Sequence, residues 1–423
     1  MTGINLRKSC SRRTLRSMFE AEVNPSGIDK AELVVCIPSY NEAETIAYAA
    51  LQASEGLIRY FPDRRSVLIN CDNNSPDHTK EAFLDTPTKA PKIYTSTSPG
   101  IRGKGNNLRN LFRKVVELQA KAIVVVDADV QTLTPEWIRN LGEPLFKGFA
   151  FVTPLYVQHK YDGLINNAIA YPLVRALFGR RVRQPIGGDF GMSGELARFY
   201  LESDLWDDAV AGFGIGIWMT TLALNRGAQV CQSFVGKPRI HRPRDPAGPV
   251  FRQVVGTLLS MVPQLNASWL RVKHSRPTPV FGFQPGEPEA PPKVTVDGER
   301  LFSRFREGLP SYGEVWEQVL SQDVFSKLLD IFGMEKPAFD FPTDLWARIL
   351  FDSAVSHRDR ICDLDLMIDS LLPLYFGKTF AFIKKTNRMS ARQAEEAIEE
   401  DCTVFEMTKP YLVERWLGKP SYQ

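Results

Sequence analysis

The chain has 423 residues, too many for one ordinary core, and points to one large α/β domain with an appendage or to two domains. Its 43% hydrophobic and 24% charged content is that of a soluble globular protein. A formal net charge of +3 is too small to imply a nucleic-acid or membrane-surface partner, and no run approaches the roughly 18 uninterrupted apolar residues of an integral membrane segment. The first residues carry Arg7, Lys8, Arg12, Arg13 and Arg16 with no acid before Glu20. An organellar leader shares that composition, but a basic arm or first helix over residues 1–30 is the expected reading. Leu33-Val34-Val35-Cys36-Ile37 reads as a strand, closed by Pro38-Ser39-Tyr40-Asn41-Glu42 and followed by a helix from Glu44 to about Tyr60. Ser66 to Cys71 is a second strand, broken by Asp72-Asn73-Asn74-Ser75-Pro76-Asp77. A helix from Asn106 to about Leu118 leads into Ile123-Val124-Val125-Val126, an apolar run stopped by Asp127-Ala128-Asp129. Further strand-like pieces lie at Ala150–Val157 and Val230–Val235, with helices at Leu164–Phe178 and Trp218–Asn225. This alternation predicts a mostly parallel sheet flanked by helices. A Pro/Gly-rich stretch, 274–296, reads as a linker or extended arm, and 297–423 as helical, its last long helix opened by a Ser390/Gln393 capping box. Six scattered cysteines without a C-x-x-C pair read as reduced thiols of a cytoplasmic protein.

The two aspartates carry the most chemistry. A β-branched run without alternation suits a central strand buried on both faces, and ligands of open α/β sheets bind beyond the carboxyl ends of such strands. Two carboxylates spaced D-x-D project to one side of extended backbone, where a divalent cation carrying phosphate would relieve their repulsion. A solvated strand-end turn has the same composition, so these residues alone leave both readings open. Tyr40 with Glu42, and Asp72 with its asparagines, could meet a nucleoside or could be ordinary turn residues. Gly103-Lys104-Gly105 before a helix could face a pyrophosphate or form a plain turn, and it is no Walker motif. His241, beside Arg242 and Arg244, could be a metal ligand next to phosphate-binding arginines or an ordinary surface or core histidine.

Val35 to about Leu259 resembles a GT-A-type, family 2-like glycosyltransferase, and more narrowly the retaining mannosylglycerate, glucosylglycerate and glucosyl-3-phosphoglycerate synthases. The residues that carry the resemblance are Pro38–Glu42, Gly103-Lys104-Gly105, Asp127-Ala128-Asp129, Gln184-Pro185-Ile186-Gly187-Gly188-Asp189 and Ile240-His241-Arg242. The helical C-terminal third, with Pro337 to Phe341, is similar as well. The resemblance implies a catalytic domain over 31–273, the linker 274–296 and a C-terminal helical domain 297–423. Pro38, Tyr40, Glu42 and Asp72 would hold the nucleoside. Gly103 and Lys104 would lie at the pyrophosphate, with Gly103 allowing close approach. Asp127 would face the ribose or sugar side of the metal site, where Asp129 and His241 bind Mg²⁺ or Mn²⁺. Gln184, Gly187, Gly188 and Asp189 would shape the sugar pocket, and Asp162 and Asn166 the acceptor segment. The donor would be a GDP-, ADP- or UDP-hexose, the acceptor D-glycerate or a related small hydroxy acid, with no protein nucleophile; a homodimer is compatible with the family.

Two positions depart from that family. Gly216 stands where an acid usually contacts the sugar or acceptor. Leu164 stands where the phosphoglycerate enzymes have an arginine, which favours an unphosphorylated acceptor. Arg175, Arg180, Arg181 and Arg183 are near enough in sequence to serve a phosphate, but as helix and loop charges they are expected to be solvated. An inverting transferase acting on a lipid phosphate, or a nucleotide-sugar sensor without turnover, are the alternative readings.

Overall fold

The computed structural model describes residues 19–241, 248–282 and 289–418. The basic run Arg7–Arg16, Cys10, and Arg242 and Arg244 lie outside them. Eleven strands are present among the described residues: β1 (Phe19–Val23), β2 (Leu33–Ser39), β3 (Ser66–Asp72), β4 (Lys92–Thr97), β5 (Ala122–Val125), β6 (Phe151–Val157), β7 (Arg180–Arg181), β8 (Phe190–Ser193), β9 (Val230–Pro238), β10 (Arg276–Pro277) and β11 (Val280–Phe281). Nine of them form one sheet in the order β1-β4-β3-β2-β5-β8-β6-β9-β11. Part of the segment expected as an arm or first helix is therefore an edge strand, with β1 antiparallel to β4.

The apolar run Ile123–Val126 does sit in the middle of the sheet and is buried on both faces. One of its neighbours, β2, is parallel, with Val35 opposite Val124. The other, β8, is antiparallel, with Gly191 opposite Val124. The short β8 did not register as a strand in the sequence, because Phe-Gly-Met-Ser has little β-branched or alternating character. β2, β3 and β5 end together, so Ser39, Asp72 and the Asp127 loop share one edge, with Ser39 in register with Asp72.

One face of the sheet packs on helices Ile46–Tyr60 and Pro135–Gly142, closing a core that includes Leu33, Val35, Val124, Trp137 and Leu141. The other face packs on Lys104–Glu117 and continues without a break into the helical region, joining Phe112, Trp218, Phe251, Trp316, Trp346 and Phe405 in one cluster. The stretch read as a linker or arm supplies β10 beside β7 and β11 beside β9. Ser390 and Gln393 form the expected capping box at the head of the final helix, Ala391–Trp416. Among the described residues one helix, Leu364–Thr386, is long and apolar enough to cross a membrane by length and composition, but 67% of its apolar window is buried inside the fold.

Candidate functional site

At the carboxyl edge of the sheet, four charged side chains close on one another. Lys104, at the start of helix Lys104–Glu117, places its ammonium on Asp127 Oδ1 and on the Gly188 carbonyl oxygen at 2.9 Å. Arg239 donates from Nη2 to Asp127 Oδ2 at 2.7 Å and from Nε to Asp189 Oδ2 at 3.0 Å. Asp189 also accepts from the Asp127 amide at 2.8 Å and from the Tyr156 hydroxyl at 2.6 Å. Two anions and two cations thus neutralise each other in a place where Asp189 is fully buried and Asp127 is 5% exposed. Burial alone would lower the Arg239 guanidinium, but Asp189, Tyr156 and Asp127 hold it well above its ordinary value. Burial, with Asp189 adjacent, raises the Tyr156 phenol and keeps it a neutral donor.

Arg239 and Tyr156 were not singled out from the sequence. Extended backbone sends residues i and i+2 to the same side, so Arg239, two before His241, was the detectable signal. Tyr156 gave none, since an aromatic in a strand is ordinary core material.

Among the nucleoside-side residues, Asp72 is occupied within the fold. Asp72 is fully buried and accepts four hydrogen bonds: from Ser39 Oγ (2.6 Å), the Ser75 amide (2.6 Å), Ser75 Oγ (2.7 Å) and the Tyr94 hydroxyl (3.1 Å). A carboxylate so saturated braces two strand ends and shapes the pocket edge rather than facing a ligand. Tyr40 is partly exposed and carries the Arg102 guanidinium over its ring at 4.7 Å. Pro38 is buried in β2, and the Glu42 amide is fixed by Thr79 Oγ1 at 2.9 Å.

Gly103 also has a different physical reason. The Cβ position at Gly103 lies 2.3 Å from the Ala211 oxygen, and at Gly105 1.9 Å from the Val210 oxygen. The glycines are required because the turn is pressed against the π-helical segment Val210–Gly214, and at Gly103 also because φ is +122°. Asn73 Oδ1 accepts the Gly103 amide at 3.0 Å, while Asn73 Nδ2 reaches Asn107 at 2.7 Å, so the Lys104 turn is anchored to the end of β3.

The Gln184–Asp189 loop lies over Asp127. A Cβ at Gly188 would meet Asp127 Oδ2 at 2.1 Å, and one at Gly187 would touch Pro154. Gln184 is 6% exposed, and the Pro185 carbonyl accepts from Thr220 Oγ1 at 2.8 Å. Gly216 faces this loop: a Cβ there would sit 3.6 Å from Ile186 Cα and 3.7 Å from the Gly187 oxygen, ordinary contact distances. Asn166 is buried in the π-helical turn Asn166–Ala170 and donates to the Arg183 carbonyl at 2.9 Å, while Asp162 accepts from Asn167 Nδ2 at 3.4 Å through its backbone.

Of the four arginines expected to be solvated, Arg175 and Arg183 are ion-paired within the protein, while Arg180 and Arg181 stay partly exposed. Arg175 is 4% exposed and ion-paired to Glu399 and Glu406. Arg183 is paired with Glu395, Arg181 donates to Ser275 Oγ, and Arg180 donates to the Pro277 carbonyl. The long final helix supplies the acids, a match that no local sequence pattern reveals.

Asp129 is 4% exposed, and His241 is partly exposed. Their segments are stitched together: the Gln131 amide donates to the Ile240 carbonyl (2.9 Å), and Thr132 Oγ1 bridges the Pro238 carbonyl (2.6 Å) and the Ile240 amide (3.1 Å). No cluster of three or more His, Cys, Asp or Glu side chains capable of caging a metal occurs among the described residues. One carboxylate and one imidazole suit an Mg²⁺ or Mn²⁺ ion whose remaining ligands are substrate oxygens. Both oxygens of Asp127, by contrast, are already engaged by Lys104 and Arg239.

The sheet, with its carboxyl-edge loops and helical C-terminal region, has the GT-A glycosyltransferase architecture. Residues 34–197 match the model of glycosyl transferase family 2. Similar solved structures include glucosyl-3-phosphoglycerate synthase from Mycobacterium tuberculosis. Its complex with Mn²⁺, UDP and glucosyl-3-phosphoglycerate is 26% identical, with TM-score 0.43, over 54% of this chain and 79% of that one. Its complex with Mn²⁺, UDP-glucose and phosphoglyceric acid is 25% identical, with TM-score 0.42 and the same shares. No curated protein matches the sequence.

Proposed function

We propose that the protein is a metal-dependent retaining hexosyltransferase that moves glucose or mannose from a nucleotide diphosphate donor to D-glycerate or a related small hydroxy acid. The observation that carries this reading is the Lys104–Asp127–Arg239–Asp189 cluster beneath the Gln184–Asp189 loop, at the strand ends of a family 2-like domain. Asp129 and His241 would hold Mg²⁺ or Mn²⁺, which when bound neutralises charge on the departing diphosphate. Lys104 contributes a flexible ammonium that can exchange a carboxylate for a phosphate partner. Arg239 and Tyr156 keep Asp127 and Asp189 rigid, so that the pocket is organised before substrate arrives. Asp189 would act here by holding Arg239 and the Asp127 loop. The ion-pairing of Arg175 and Arg183 to acids of the final helix supports a non-phosphorylated acceptor over 3-phosphoglycerate. Free thiols at Cys36, Cys71, Cys231, Cys362 and Cys402 fit a cytoplasmic location.

The test is nucleoside-diphosphate release across GDP-, ADP- and UDP-sugars, with glycerate and with 3-phosphoglycerate, with Mg²⁺ and with EDTA. Release is expected to need Mg²⁺ and glycerate. Equal release in EDTA sinks the metal dependence, and release indifferent to both acceptors sinks the acceptor assignment. A second reading, a nucleotide-sugar sensor, is favoured by one observation: Gly216 faces the pocket loop without a side chain. It predicts nucleotide binding with no turnover across the panel, and turnover appearing in Gly216→Asp, whose Cβ the site accommodates.

A further inference from the structure

We propose that Glu395 on the final helix is a positioning residue for the Gln184–Asp189 loop, so that the C-terminal region sets the geometry of the site as well as covering the sheet. The link runs through Arg183, the residue just before Gln184. Three separate elements hold Arg183. Its amide donates to Gln232 Oε1 on β9 at 2.6 Å. Its carbonyl accepts from Asn166 Nδ2 in the π-helical turn at 2.9 Å. Its guanidinium makes a two-pronged contact with Glu395, Nε to Oε1 at 2.5 Å and Nη2 to Oε2 at 2.9 Å, and lies 5.3 Å from the Tyr171 ring centroid.

A planar fork on a carboxylate fixes both distance and orientation, which a single contact does not. Only 14% of the Arg183 side chain is exposed. Burial would lower its guanidinium, but Glu395 more than offsets this, so the arginine stays charged. The loop's far end is fixed at Asp189 by the Asp127 amide, Tyr156 and Arg239. Arg183 is therefore its upstream anchor, and in the five residues between, Gly188 reaches Lys104 and covers Asp127. Glu399, one turn along the same helix, pairs with Arg175 and Tyr171, whose backbone does not lead into the loop. That contrast supplies an internal control.

The experiment compares Glu395→Gln, Glu395→Asp and Glu399→Gln with the unaltered chain by amide hydrogen exchange of residues 184–193 and by thermal unfolding. Glu395→Gln is expected to speed exchange of the 184–189 amides by about tenfold, with the melting midpoint nearly unchanged, because opening of one anchored loop is local. Glu395→Asp is expected to restore part of the protection, and Glu399→Gln to leave it intact. Unchanged protection in Glu395→Gln, or equal loss in Glu399→Gln, overturns the proposal. The consequence for turnover rests on the transferase reading: kcat is expected to fall about tenfold in Glu395→Gln with a smaller change in KM, as for mispositioned reacting groups. Absence of turnover in the unaltered protein would defeat that reading, while the exchange measurement would still decide this one.

Discussion

Arg239 is the side chain on which two buried aspartates depend. It reaches Asp127 with one nitrogen and Asp189 with another, and its own exposure is only 9%. Removing one partner from a buried charge cluster leaves an uncompensated ion, a loss of about 3–5 kcal/mol. Arg239→Met is therefore expected to lower unfolding free energy by that order in urea titrations. Arg239→Lys, which keeps the charge but cannot fork, is expected to fall between the two. A methionine variant as stable as the parent would show that the cluster does not hold the site together. The same reasoning separates the aspartates. Asp72 accepts four hydrogen bonds and Asp189 three inside the fold, and Asp129 belongs to the strand-end loop to which the 238–241 segment is sewn.

Among the elements, the turn at Gly103–Gly105 and the π-helical segment Val210–Gly214 behave as one unit. The segment departs from helical geometry at Gly212, where φ is −89° and ψ −133°, and its carbonyls occupy the space a side chain would need on the turn. Gln253 Oε1 accepts the Phe213 amide at 2.7 Å, fixing the segment from the other side. Gly105→Ala is expected to force the two apart, costing about 1–3 kcal/mol as other overpacked positions do, and to weaken nucleotide binding by displacing Lys104. Gly100→Ala is the control. Its φ is +82° but no atom lies within 4 Å of its Cβ position, so it is expected to cost only about 1 kcal/mol and leave binding unchanged. Melting midpoints and nucleotide titration of both variants check this; equal effects would remove the steric explanation.

At the scale of the molecule, the helical region shares its core with one face of the sheet. Trp346 Nε1 donates to the Ala168 carbonyl at 2.8 Å, and Lys160 Nζ caps the end of helix Leu364–Thr386 at the Thr386 and Met389 carbonyls. Lys409 of the final helix donates to the Trp269 and Val272 carbonyls at 2.8 and 2.6 Å. Burial lowers its ammonium to about 8, with Glu406 opposing. Between about pH 8 and its ordinary 10.5, the unfolded chain keeps a proton that the folded one has released. Stability from this group therefore rises with pH across that window and is lost as pH falls back through 8. The gain relative to Lys409→Met is about 3 kcal/mol. Urea unfolding of both proteins at pH 7.5 and 10 measures it, and a pH-independent difference would refute the buried-ammonium account.

Much of this architecture is local in origin and so was legible in the sequence. Apolar runs at Leu33, Ser66 and Ile123 are strands because their side chains leave no polar face, and Ser390 with Gln393 caps a helix through its own backbone. The loops that follow those runs had to meet at one edge, since parallel strands end together. What each polar group does there was decided only by tertiary structure. Whether Asp72 faces solvent depends on Tyr94 and Ser39 from other strands, and why Gly103 is glycine depends on Ala211, more than a hundred residues away. The partners of Arg175 and Arg183 arrive on the final helix. Hydrogen bonds and ion pairs are made by whatever the fold brings within about 3 Å, and periodicity carries no record of that.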